Sequence, residues 1–133
     1  MQRIRTRPQF QAAMAGAIVA KTPHFALHRL SLPGPEHGRL LFPVSDTWIG
    51  VVLPKRWAKR AVTRNAIRRQ VYELARLIGS RWPAVALVVR LRSGFSRERF
   101  VSAASEALRR VVRAELEQLF GRLTEKAPVE VMA

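Results

Sequence analysis

The stretch KRWAKRAVTRNAIRRQVYELAR, Lys55 to Arg76, holds eight Lys or Arg residues and one acid, Glu73. From Lys59 to Ile78 its pattern is helical. At about 3.6 residues per turn, Ile67, Val71, Leu74 and Ile78 make one apolar stripe that can lie on a sheet. Asn65, Arg69, Tyr72 and Arg76 follow the same spacing on the opposite side. Arg64 and Arg68 lie one turn apart on the border, and Lys59 and Arg60 carry the charge round the first turn. Like charges one turn apart cost a helix a few tenths of a kcal/mol per pair. Cations at its N-terminus also oppose the macrodipole. A bound anion at the helix start reverses both penalties, whereas a solvated face on a purely structural helix leaves them uncompensated.

Working outward, WIGVVLP (Trp48–Pro54) reads as a short β-branched strand before the helix. A break from Gly79 to Pro83 leads to AVALVVRL (Ala84–Leu91), a buried strand. This strand–helix–strand unit lets its two strands lie parallel. Upstream, Thr6 can cap a short helix with Pro8 in its first turn and Phe10, Ala13, Met14 and Ala17 at helical spacing. Gly16 weakens its end. Ile18–Ala20 and His24–Leu32 read as strands. In the second, Phe25, Leu27 and Arg29 face one way and Ala26, His28 and Leu30 the other. Pro33–Gly38 is a breaker-rich loop, and Pro43 argues against a central strand in Arg39–Thr47. Downstream, Ser96 can cap a long amphipathic helix with Glu98 in its first turn. Its apolar positions are Val101, Ala104, Leu108, Val111, Val112, Leu116 and Leu119. The predicted order is αβββαβα. That is an α+β sandwich in which three helices cover a small, mostly antiparallel sheet of about four strands. Residues 1–123 are read as a single domain, and 124–133 as a disordered tail.

Composition narrows the partner. The 133 residues include 24 Lys+Arg against 9 Asp+Glu, a formal charge of +15. Self-repulsion on this scale calls for a polyanion. Nucleic acid fits best, an anionic membrane less well, and an acidic protein least. Arg outnumbers Lys, which stands only at 21, 55, 59 and 126. Its planar fork suits phosphate and base stacking, although genomic composition also favours Arg. Without cysteine there is no disulfide, thiol catalysis or Cys-based zinc site. No run reaches the roughly 18 apolar residues of a membrane span, and MQRIRTRPQF lacks the apolar core of a secretory signal. The expectation is a soluble, cytoplasmic protein with no membrane association and no obligate protein partner.

Catalytic groups do not assemble in the sequence. His24, His28 and His37 are not paired at helical spacing, and Asp46 is the single Asp. Most acids lie in the C-terminal third among arginines, where Glu106–Arg110 is an intrahelical pair. Neither a metal site, a nucleophile elbow nor a glycine-rich phosphate loop is indicated. Asn65 and Tyr72 between the cations suit a folded RNA surface. A DNA-reading helix-turn-helix needs a preceding helix and tight turn, and a strand stands there instead.

The residues L-P-K-R, then A-V-T-R-N-A-I-R-R, resemble the signature region of the protein subunit of bacterial ribonuclease P. Lys55-Arg56, Ala61-Val62, Arg64-Asn65 and Arg68-Arg69 match its pattern. Gln9-Phe10 and the strand at Phe25 fall at the family's usual positions, and the order agrees from about Arg3 to Leu119. Four positions depart. Ala66 replaces the third basic residue of an Arg-Asn-Arg core, Tyr72 a Lys or Arg, Met14 a second Phe, and His28 a strand aromatic.

The resemblance implies a ribosomal-protein-S5-domain-2-like fold with a left-handed βαβ crossover. It implies an accessory subunit of an endoribonuclease that removes the 5′ leader of precursor tRNA. The catalytic centre and most Mg²⁺ are expected in the ribonuclease P RNA, with no catalytic residue in this chain. Carried over, Lys55, Arg56, Lys59, Arg60, Arg64, Asn65, Arg68 and Arg69 would bind that RNA. Phe10, Met14, Ala26, His28 and Val51 would line a cleft for the precursor tRNA leader. Core packing is the plain alternative for Phe10, Met14 and His28. The rival functions are a ribosomal or ribosome-assembly RNA-binding protein without a catalytic role, and a DNA-binding regulator.

Overall fold

The computed structural model describes residues 1–32, 41–44, 46–78, 82, 84–95 and 106–132, with side chains to Leu123. Its elements are β1 (Gln2–Arg3), α1 (Arg7–Ala15), β2 (Ala17–Lys21), β3 (Phe25–Ser31), β4 (Trp48–Val52), α2 (Ala61–Ile78), β5 (Val85–Leu91) and α3 (Glu106–Met132). Among the described residues the fold is α+β, with three helices and one five-stranded sheet in the order β1-β4-β5-β3-β2. β4 pairs parallel with β5, as the strand–helix–strand pattern predicts. The sheet is mixed rather than mostly antiparallel. β1, which is too short to show any periodicity, adds a second parallel pairing at the edge of β4. Gln2 N donates to Thr47 O and Ile4 N to Ile49 O, both at 2.8 Å.

Each face of the sheet has its own core. Phe25, Leu27, Ile49, Val51, Leu87 and Val89 pack with Ile67, Val71 and Leu74 of α2 and Leu116, Leu119 and Phe120 of α3. The apolar stripe of α2 therefore lies on the sheet as its period requires. On the other face, Ile4, Ala13, Phe42, Trp48, Ala86 and Val88 form a smaller cluster under α1. Thr6 and Gln9 cap α1 reciprocally: Gln9 N donates to Thr6 Oγ1 and Gln9 Oε1 accepts from Thr6 N. Gln9 Nε2 also reaches Leu41 O at 2.7 Å. Gly16 allows α1 to meet β3, because a Cβ there would lie 2.3 Å from Arg29 O.

In the Arg39–Thr47 segment, Phe42 is buried edge-on to Trp48, and Trp48 Nε1 donates to Val44 O. The expected loop at Pro33–Gly38 and the Ser96 cap with Glu98, Val101 and Ala104 lie outside the described residues. In the expected tail from Thr124 only the helical backbone is described.

Candidate nucleic-acid interface

The basic segment divides into a loop and a helix. Lys55 and Arg56 are exposed in a turn closed by Trp57 N and Ala58 N on Pro54 O. Buried Ala58 anchors this turn. Lys59 and Arg60 precede the helix rather than forming its first turn. Arg60 occupies the N-cap, where Arg64 N meets its carbonyl at 3.2 Å. An arginine side chain has no acceptor, and no acid stands in the first turn. The helix start therefore presents positive charge with no internal carboxylate to balance it.

Arg64 and Arg68 have different settings. Arg64 Nη1 donates to the carbonyls of Ala58 at 2.9 Å and Lys59 at 2.8 Å. It thus ties the loop to the helix. Arg68 Nη1 donates to Asn65 Oδ1 at 2.9 Å, which leaves the Asn65 amino group as the free donor. Asn65, Arg68 and Arg69 are all exposed. The eight predicted RNA-binding residues all lie in this loop and the first nine residues of α2, seven of them at the surface and Arg64 partly buried.

That surface has two parts the sequence reading did not include. Arg3 of β1 places its guanidinium 4.1 Å from the centroid of the Tyr72 ring. Arg3, Asn65, Arg68, Arg69, Tyr72 and Arg76 line one depression. A cation absent from the helix at position 72 is thus supplied by the neighbouring strand. Trp57 is the other part. Its ring is 38% exposed with Arg56 at 5.3 Å. A tryptophan inside a basic loop was the available signal for it. The parallel pairing that carries Arg3 had no sequence signal.

The α1 face is the second candidate surface. Phe10 and Met14 are half-buried. The Phe10 ring rests on the backbone of Gly50, where an added Cβ would sit 2.6 Å from Phe10 Cε1. Ala26 and His28 are on this face but buried beneath α1. Val51 is not on it. Strand alternation puts Val51 with Ile49 in the α2–α3 core, so Gly50 and Val52 are the β4 residues facing α1. Burial, and then the nearby Arg90 charge, hold the His28 imidazole below its ordinary pKa, while the Met14 carbonyl opposes them.

The remaining polar cluster serves the fold. Glu115, almost fully buried, accepts from His24 N at 2.9 Å and contacts His24 Nδ1 at 2.5 Å, while the imidazole stacks on Phe95 at 3.9 Å. This joins the start of β3 to α3. Among the described residues no three His, Asp or Glu side chains come together around a possible metal position. No helix among them is long and apolar enough to cross a membrane.

Residues 1–127 match the family model described as Ribonuclease P. The ribonuclease P protein component of Ralstonia pickettii is 35% identical over 118 residues, covering 89% of this chain and 76% of that one. The component from Burkholderia mallei strain SAVP1 is 30% identical over 102 residues, covering 77% and 67%. The fold is similar to that of the Staphylococcus aureus RNase P protein, with a TM-score of 0.66 at 19% identity over 91% of this chain and 94% of that one. For the Thermotoga maritima protein the TM-score is 0.60 at 19% identity, over 90% and 94%.

Proposed function

Because this chain belongs to the ribonuclease P protein family, we propose that it is the accessory subunit that binds the catalytic RNA and the 5′ leader of precursor tRNA. The observation that carries the reading is the loop-and-helix surface from Lys55 to Arg69. It combines eight RNA-suited side chains with a helix start that has no acid in its first turn. Arg68 and Arg69 project from the helix, Arg64 fixes the loop, and Asn65 offers its amide to a base edge or a 2′-hydroxyl. The α1 face is the place for the single-stranded leader, with Phe10 as the stacking group. Stacking of a base on such a ring is worth about 1–3 kcal/mol.

Cleavage is assigned to the RNA. Mg²⁺ belongs with the RNA in this reading. The protein's part is to hold RNA and leader together, which raises the effective concentration of the scissile bond at the catalytic RNA.

Reconstitution tests the reading. The purified protein is mixed with ribonuclease P RNA and labelled precursor tRNA at limiting Mg²⁺. Correct 5′ cleavage that needs both components supports it. A folded protein that gives no stimulation with a cognate RNA would move the assignment to ribosomal RNA binding.

A further inference from the structure

α1, β3, β4 and β5, the elements that enclose the α1 face, contain no Asp or Glu, yet α1 carries Arg7 and β5 carries Arg90. Val85, Leu87, Val89 and Leu91 of β5 belong to the α2–α3 core, and Ala86 and Val88 to the α1 side. Alternation therefore puts Arg90 on the α1 face. Its strand neighbours in register are Ala26 and Val52, neither of which has a side-chain hydrogen-bonding group. Arg90 is half-buried, and no carboxylate among the described residues pairs with it.

What holds Arg90 is His28. Arg90 Nε donates to His28 Nε2 at 3.0 Å. His28 is 5% exposed, and the Met14 carbonyl stands on its Nδ1 side. An imidazole that accepts at Nε2 is neutral and carries its proton on Nδ1. It fixes the plane of the guanidinium through Nε alone. The two terminal nitrogens remain, and their parallel N–H groups match the two oxygens of a phosphate. A charge held half-buried beside alanine and valine, with no acid among the described residues of that face, suits an anion from outside the chain.

We infer that Arg90, oriented by neutral His28, is a phosphate-binding position that takes one phosphodiester of a single-stranded RNA lying across Phe10 and Met14. This rests on the proposed use of the α1 face for the leader. It adds a backbone contact, which fixes register, to the base contacts at Phe10.

The test uses the reconstituted ribonucleoprotein and precursor tRNAs whose leaders carry one neutral methylphosphonate at each linkage in turn. Arg90→Met, which keeps the aliphatic stem, is expected to weaken binding of leader-bearing precursor about 10-fold and leave mature tRNA unchanged. One methylphosphonate position is expected to cost the unaltered protein a similar factor and to cost Arg90→Met nothing. Arg90→Lys, which keeps the charge but loses the fork, is expected to fall between. It also serves if the methionine variant melts early. Equal sensitivity to every linkage in both proteins would overturn the inference and leave Arg90 a tie between β3 and β5. Phe10→Ala separates the two levels. If it abolishes leader preference while Arg90→Met does not, only the phosphate assignment fails. If neither variant alters leader preference, the use of this face fails with it.

Discussion

Replacing Gly50 by alanine would test how tightly Phe10 is held over the sheet. The new methyl would lie 2.6 Å from Phe10 Cε1, 3.1 Å from Phe10 Cζ and 3.0 Å from Ile4 Cβ. Carbon–carbon contacts are comfortable at about 3.5–4.0 Å, so the ring must retreat by roughly 1 Å. The Ile4 contact is harder to relieve, since its Cβ sits next to backbone that is bonded to β4. Overpacking of this kind costs about 1–3 kcal/mol. Removing a glycine from the unfolded chain returns about 0.4–1 kcal/mol. The steric term wins, and a net loss of about 1 kcal/mol is expected, which is roughly 3–5 °C in Tm for a chain of this size. Urea and thermal melts of the free protein measure it. In a Phe10→Ala background the same change should cost much less, because the ring that obstructs it has gone; the coupling should reach about 1 kcal/mol. Equal cost in both backgrounds would refute the placement of Phe10 on Gly50. In the ribonucleoprotein, Gly50→Ala should lower leader preference with little effect on affinity for the RNA subunit.

Arg64→Ala with Arg68→Ala should weaken binding to ribonuclease P RNA at least 10-fold and make the salt dependence shallower by about one to two units, as titrations at several salt concentrations would show. Arg64→Ala alone should also loosen the 58–60 loop, visible as faster amide exchange there, because its carbonyl contacts are lost. Trp57→Ala should cost about 1–3 kcal/mol of RNA affinity if a base stacks there, with little change in Tm for a ring already 38% exposed; unchanged affinity would make it a surface residue only. His28 has a folded-state pKa below its unfolded value, so the unfolded chain takes up the proton first as pH falls. The stability it contributes is present above about pH 6.5 and is lost as pH drops toward the lower folded value. Between pH 7.5 and 5.5 the Tm should therefore fall more for the unaltered protein than for His28→Gln, which keeps an acceptor for Arg90 but does not titrate.

The parts of the fold that were legible in the sequence are those with a period. The stripe Ile67, Val71, Leu74 emerged buried because a helix repeats every turn, and Thr6 was legible because a cap needs only local bonds. β1 was not. Two residues have no period, and their pairing to β4 depends on where the rest of the chain has gone. The misplacement of Val51 has a related cause. WIGVV is apolar on both sides because both faces of β4 are covered, and such a strand gives no sign of which residues face α1. In β5, Arg90 was the one polar residue in an apolar run. Its partner could be known only from the antiparallel register with β3, which puts His28 opposite Val88 and hence one diagonal step from Arg90.

The distribution of acids ties charge to function more closely than net charge does. On α3, Glu106 pairs with Arg110 at 3.3 Å and Glu117 with Arg113 at 3.2 Å. Glu73, the one acid in the Lys55–Arg76 stretch, lies 3.9 Å from Arg113 of α3 and also lines the depression that holds Arg3, Arg68, Arg69 and Arg76. Exposed pairs of this kind contribute little stability, about 0–1 kcal/mol each, so stability does not explain why they are concentrated here. Their effect is on the field. They offset positive charge at the α2–α3 groove, and among the described residues no ion pair includes Lys55, Arg56, Lys59, Arg60, Arg68 or Arg69. Unpaired cations of this kind, on the loop and the outer face of α2, attract a polyanion. Adding one acid to α2 should shift RNA affinity more than removing one from α3. Ala66→Glu, which places a carboxylate beside Asn65 and Arg69, should weaken RNA binding several-fold. Glu117→Gln, which removes one from α3, should change it by less than twofold. If the two substitutions have equal and opposite effects, net charge alone governs binding and the layout of acids carries no information about the interface.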